Sequence, residues 1–165
     1  TSAASWSEID VSEKPEGGIH LVVDNRVVRH EYHVVEAVEC GLKLSGAEVK
    51  SVRAGNISIK EAFGRIVDGE AWLYQMTIGP YPNARWNPDP GRPRKLLLHQ
   101  REIKRIHAEI RVKGKTWVPT KLYFKGGWLK IEMAVAIGKK LYDKRQSMKE
   151  ADAKREIGRA MSRKR

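Results

Sequence analysis

Strand patterning without βαβ alternation predicts a mainly β protein, a closed or nearly closed antiparallel barrel of about six strands with helices packed outside. Two hairpins carry most of that expectation. Ala62–Val67 and Ala71–Ile78 flank Asp68-Gly69, a pair suited to the two-residue turn whose twist matches that of the flanking strands. Thr116–Phe124 and Trp128–Ile137 flank Gly126-Gly127 in the same way. The third observation is composition. Aliphatic and aromatic residues make up 41% of 165 residues, enough for one domain with a real core.

The elements follow in order. Residues 1–18 are rich in Ser, Ala, Glu and Gly and read as a flexible leader. Apolar patterning starts near Ile19. Tyr32–Glu39 is a strand, and Leu42–Leu44 resumes after a break at Gly41. Ser45-Gly46-Ala47-Glu48 is a capping box, and Gly55 supplies a left-handed stop, so a helix of about two turns lies between them. In the first hairpin Trp72, Tyr74, Met76 and Ile78 share an apolar face. A loop from Gly79 to Arg94 follows, with five of the seven prolines. Ile103, Ile106 and Ile110 recur at helical spacing among basic residues, which predicts a helix over Leu98–Val112. In the last hairpin Leu129, Ile131, Met133, Val135 and Ile137 face one way, and Lys130 and Glu132 the other. These elements make 19–137 the folded unit. After Gly138 only Met148, Ala153, Ile157, Ala160 and Met161 form a thin apolar stripe. The segment 138–165 is therefore expected to be disordered alone and to turn helical, from about Gln146, on a charged partner.

Charge indicates what that partner is. The chain carries 32 Lys and Arg against 20 Asp and Glu, a net +12, and residues 138–165 hold +7 of it. Such self-repulsion points to a polyanion. Lys95, Trp117, Lys121, Tyr123, Lys125, Trp128 and Lys130 mix cations with aromatics, the combination that meets phosphates and stacks bases. Enzyme signals are weak: GxxxxGK[ST], GxGxxG and GxSxG are all missing. His30-Glu31-Tyr32-His33 is one residue short of the helical zinc spacing and lies in a strand-like run. Cys40, the single cysteine, reads as a small buried residue. The expectation is therefore no catalytic residue, no metal and no cofactor. With no apolar run of 18 residues and no secretory leader, a cytoplasmic protein without a membrane role is expected.

Five blocks of the sequence resemble one family. They are Asn25-Arg26 with Arg29-His30-Glu31-Tyr32; Gly41-Leu42 with Gly46-Ala47-Glu48-Val49-Lys50-Ser51-Val52-Arg53-Ala54-Gly55; Arg92-Pro93-Arg94-Lys95-Leu96-Leu97-Leu98-His99; Leu122-Tyr123-Phe124-Lys125; and Gly138-Lys139-Lys140-Leu141-Tyr142-Asp143-Lys144-Arg145. Together they span about residues 25–157 and resemble the SmpB family, the SsrA-binding proteins of bacterial trans-translation. The chain departs from the family pattern at Asn87-Pro88-Asp89-Pro90, where Asn-His-Asp-Pro is common.

The resemblance implies an OB-like barrel that binds the tRNA-like domain of tmRNA and carries it to stalled ribosomes. It also implies a C-terminal tail in the empty mRNA channel near the decoding centre of the small subunit, with no catalysis. Elongation factor Tu is a further candidate partner. Carried over by motif, Glu39, Leu97 and Lys130 are the RNA contacts, and Arg26, Lys50, Arg53, Lys95 and Lys125 join them as basic RNA-binding candidates. Glu39 would accept from base or 2′-OH donors, the alternative being a barrel-rim carboxylate paired with a cation. For Leu97 the alternative is a core position. In the tail, Gly138, Lys139, Lys140, Tyr142, Asp143, Lys144 and Arg145 are the expected ribosome contacts, with Gly138 as a hinge. A general OB-fold RNA-binding or ribosome-associated protein is the second reading. An OB-fold nuclease is the third, and it lacks the clustered carboxylates such an enzyme needs.

Overall fold

The computed structural model describes residues 18–163, with Leu141 and Tyr142 described by their backbone alone. The expected leader therefore lies outside the described residues apart from Gly18. In chain order the elements are β1 (Ile19–Asp24), α1 (Arg26–Glu31), β2 (Tyr32–Leu42), α2 (Gly46–Arg53), β3 (Ile57–Ser58), β4 (Phe63–Val67), β5 (Glu70–Tyr74), β6 (Thr77–Ile78), β7 (Arg94–Leu97), α3 (Gln100–Ile110), β8 (Lys115–Lys125), β9 (Trp128–Gly138) and α4 (Leu141–Ser162).

Seven strands form one antiparallel sheet in the order β1-β8-β9-β2-β7-β5-β4, and β3 pairs with β6 in a separate ribbon. Most of the strand content was expected, but closure was not met, because the ladder runs from a β1 edge to a β4 edge. Register shifts in β1, β2 and β8 bend the sheet, as an extra residue on one strand of a pair does. The bending carries β4 against the β8 end without a ladder. At Gly64 an added Cβ would lie 2.3 Å from the Trp117 ring, so only glycine lets the strands approach this closely. Buried Asn25 bridges the same gap, its side-chain amide donating to the carbonyls of Ile59 (3.3 Å) and Pro119 (3.0 Å). The core lies on the concave side, where Val52, Leu73, Met76, Leu96, Ile106, Leu122, Ile131 and Met133 pack together.

Local chemistry explains the elements. The turn at Asp68-Gly69 takes positive φ at both residues (52° and 74°). Ser45 and Glu48 close the capping box of α2, and Gly55 has φ +79° just past its end. Two expectations need correction. Gly41 does not break β2: it pairs with Leu97 on one side and Lys130 on the other, and an added Cβ would meet the Leu97 Cβ at 3.1 Å. The apolar face of the first hairpin also changes partway. Gln75 adopts φ 57°, so Ala71 and Leu73 are the buried residues before it and Met76 and Ile78 after it, while Trp72 and Tyr74 are only half-buried.

The helix α4 starts five residues before Gln146 and runs to Ser162. Every residue from Met148 to Arg163 is exposed. Its first turns rest on α1: Lys144 pairs with Glu31, the Lys139 amide donates to the Glu31 carbonyl (2.8 Å), and the Lys139 ammonium donates to the Arg29 carbonyl and Ser147 Oγ (both 3.1 Å). Gly138 is the last ladder residue of β9, opposite Tyr32, so any swing of the arm begins after it.

Candidate nucleic-acid interface

Paired residues of neighbouring strands point to the same face of a sheet. The register therefore lines up Leu97, Gly41, Lys130, Tyr123 and Leu21 in one row across β7, β2, β9, β8 and β1, on the convex side. Glu39, Lys125 and Lys95 lie two residues along their strands from members of that row, on the same face. Five of the eight expected RNA-binding residues thus gather on one surface. Leu97 is 37% exposed, and its neighbour Leu96 takes the core position. Gly41 leaves room for the Leu97 side chain to lie over it.

Glu39 organises this surface. The Tyr123 hydroxyl donates to its carboxylate, and Lys125 Nζ lies 3.5 Å from the same oxygen. The hydrogen bond from Tyr123, then the Lys125 and Lys130 charges, hold Glu39 below the usual carboxylate range against the cost of partial burial. Burial, then Glu39 itself, pushes the Tyr123 phenol up, so it stays a donor. Glu132 stands opposite Glu39 in the ladder, and Thr120 Oγ1 donates to it at 2.7 Å. Lys95 is paired with Glu70 at 3.0 Å. The surface is a mosaic of fixed acceptors, cations and exposed apolar side chains, Leu97 and Leu21. It can accept from base or ribose donors as well as meet phosphates.

The other three candidates lie elsewhere. Arg26 is exposed on α1. Lys50 sits over the Tyr81 ring (5.7 Å) and Arg53 over the Phe124 ring (5.4 Å). Arg53 and Phe124 line a cleft of about 300 Å³ with His20 and Val52. Two aromatics expected to interleave with the cations do not: Trp117 is fully interior, and Tyr123 offers Glu39 its hydroxyl while its ring is buried. In the arm, Lys139 and Lys144 hold α1, Asp143 lies 3.9 Å from His33, Lys140 and Arg145 are exposed, and the Tyr142 side chain lies outside the described residues.

The Arg92–Arg94 block is structural. Buried Glu48 accepts from Arg92 (2.9 and 2.6 Å) and from Arg94 (3.1 and 2.9 Å), and Arg94 is 0% exposed. Burial pulls the Glu48 carboxyl up. The Arg92 hydrogen bonds, the Ser45 amide and the two guanidinium charges outweigh it and hold it low. This cluster ties α2 to β7 and was missed because Glu48 already had a role in the capping box. Cys40 is buried, and burial pushes its thiol up to about 12, which leaves it inert. Among the described residues no three His, Cys, Asp or Glu side chains group to hold a metal, and no helix is long and apolar enough to cross a membrane.

These features define a class of protein: small, strongly basic, built on one bent antiparallel sheet with a mixed polar face and a basic helical arm. Comparison with known proteins narrows it. The family model for SmpB protein matches residues 22–163. The SsrA-binding protein of Carboxydothermus hydrogenoformans is 51% identical over 142 residues, 86% of this chain and 95% of that one. That of Chloroflexus aurantiacus is 50% identical over 145 residues, 87% and 91% of the two chains. A chain of the solved structure "tmRNA-SmpB: a journey to the center of the bacterial ribosome" is 43% identical with a TM-score of 0.62, covering 72% of this chain and 85% of that one. The chain belongs to the SmpB family.

Proposed function

We propose that this protein binds the tRNA-like domain of tmRNA through the convex sheet face and delivers it to stalled ribosomes for trans-translation. The observation that carries the reading is the row Leu97–Gly41–Lys130–Tyr123 with Glu39 beside it. A surface that only bound polyanions would need cations alone; this one also holds a carboxylate fixed as an acceptor. Kinship with proteins named SsrA-binding, and with a chain from a tmRNA-SmpB structure, supports the same partner.

The finer parts of the proposal rest on particular features. The bend that brings Gly64 under Trp117 supports an OB-like barrel closed by side chains rather than by a ladder. Residues 19–137 are the RNA-binding unit, and 138–165 the arm that enters the empty mRNA channel near the decoding centre, with Lys140 and Arg145 exposed for rRNA. The protein acts in the cytoplasm by binding, without catalysis.

A competition assay tests the proposal. Labelled tRNA-like domain of tmRNA is bound to the full chain and displaced with unlabelled tmRNA or bulk tRNA. At least a tenfold preference for tmRNA is expected; equal displacement would reduce the protein to a general RNA binder.

A further inference from the structure

The segment between β6 and β7 is a long loop, which ordinarily implies mobility, yet here it is fixed from both ends. At its start the Gly79 amide donates to the Asn56 carbonyl (3.0 Å) and Ser51 Oγ to the Gly79 carbonyl (2.7 Å). At its end the Ile78 amide donates to the Pro90 carbonyl (3.1 Å), as does Arg94 (2.9 Å), while Arg92 and Arg94 are held by Glu48. The tip closes on itself. Asn87 accepts from the Tyr81 amide (2.8 Å) and donates to the Tyr81 carbonyl (3.1 Å), which makes residues 81–87 a compact turn. That turn displays Trp86, which is 71% exposed, beside exposed Arg85. Lys50 caps the Tyr81 ring at its base.

A large, flat aromatic held out on an immobilised turn, next to exposed Arg85 and on a base capped by Lys50, is costly in water and suited to one kind of ligand. We infer that the 81–87 turn is a stacking platform for an unpaired RNA base, with Trp86 as the stacking surface and Arg85 and Lys50 meeting the adjoining phosphates. The platform belongs to the loop and to α2, not to the Glu39–Leu97–Lys130 surface, so it would be a second point of attachment. The inference rests on RNA being the partner. The base can come from tmRNA or from ribosomal RNA, and the test separates the two.

Full-length wild type, Trp86→Ala, Trp86→Phe and Lys130→Ala are titrated with the tRNA-like domain of tmRNA and, separately, with vacant ribosomes, each at several salt concentrations. Trp86→Ala should weaken binding to one of these RNAs about tenfold. Trp86→Phe should recover it to within about threefold, since a smaller ring still stacks. The salt slope should be unchanged in both Trp86 variants, whereas Lys130→Ala lowers it by about one unit for the tRNA-like domain. Unchanged affinity of Trp86→Ala for both RNAs would overturn the platform. So would a loss that Trp86→Phe does not recover, or one accompanied by a matching fall in melting temperature. If instead wild type fails to prefer the tRNA-like domain over bulk tRNA, the proposed function falls, and the platform is judged on ribosome binding alone.

Discussion

On the sheet, Lys125 and Lys130 stand beside Glu39, Lys95 meets Glu70, and Arg105 of α3 meets Glu36 at 2.6 Å; along α4, six Lys and Arg and four Asp and Glu share an exposed helix, and in sequence Lys139, Lys140, Arg163, Lys164 and Arg165 flank it. Among the described residues the arm's acid–base contacts are Lys144 with Glu31, His33 with Asp143, and Arg155 with Asp152 at 3.6 Å. Both regions are basic, but they spend that charge differently. The candidate face sets Lys95, Lys125 and Lys130 beside carboxylates and so presents a pattern, which suits one particular RNA. The arm, with 11 Lys and Arg against four Asp and Glu, offers net charge rather than a fixed pattern, which suits any enclosure of phosphates. The difference follows from burial: a strand packed on a core orders its side chains, whereas a helix with no buried face cannot.

The largest effect expected from this contrast is on stability. Glu48→Ala leaves the fully buried Arg94 guanidinium without its carboxylate, and removing one partner of a buried pair costs about 3–5 kcal/mol. The melting temperature should fall by roughly 10 °C. Reversing an arm charge such as Lys154→Glu, at an exposed position, should change stability by less than about 0.5 kcal/mol. Comparable falls in both variants would mean that the arm is part of the cooperative unit.

Next in size is the effect of removing the arm. A chain ending at Ile137 loses +7 but keeps Glu39, Leu97 and Lys130. It should melt within a few degrees of the full chain and keep its preference for tmRNA. Its non-specific RNA affinity should drop and become less sensitive to salt, because fewer counterions are released. Tagging of stalled chains should be lost. A truncated chain that no longer distinguishes tmRNA from tRNA would shift specificity to the arm and invert the comparison.

The two regions also differ in how legible they are in the sequence. Turn chemistry makes both hairpins readable, and the Ser45–Glu48 box and Gly55 give α2 almost to the residue. What escapes is whatever depends on distant partners. Gly41 looks like a break because its reason for being glycine, the approach of Leu97, arrives with β7. The short α1 has no side-chain cap and too few residues for a periodicity, so the sequence assigns no helix to Arg26–Glu31 and puts His30 and Glu31 in a strand-like run, where the structure has them end α1. The face change in β5 turns on a single positive φ at Gln75. At the candidate site, alternation alone puts Lys130 outward. The pairing of Tyr123 with Glu39, 84 residues apart, needs the register of three strands. Nothing local in the Arg92–Arg94 block shows that Glu48, 44 to 46 residues earlier, takes it inside. The arm's sequence reports composition and helical capacity, and its contacts with α1 are again tertiary.

The smallest expected effect lies where the two regions meet. Glu31 accepts from Lys144 and lies beside His30, and its carbonyl takes the Lys139 amide, so one residue at the end of α1 holds the first turns of α4 by side chain and backbone. The Lys144 hydrogen bond, then that of His30, lowers the Glu31 pKa from its usual 4.5. A carboxylate lowered on folding stabilises the contact above its unfolded pKa, and that contribution disappears as pH falls through the folded value. The pair is exposed, so it should sharpen the arm's direction more than its stability, and added salt should weaken it. Glu31→Gln removes the charge and leaves the backbone bond to Lys139. Amide exchange across residues 139–147 should quicken a few-fold in this variant at pH 7. Wild type should show the same loss of protection, relative to intrinsic exchange rates, as pH falls through the lowered Glu31 pKa, and the sheet should be unchanged in both cases. Exchange in Glu31→Gln identical to wild type at pH 7 would mean that the Lys139 contacts alone set the arm, and that the ion pair is incidental.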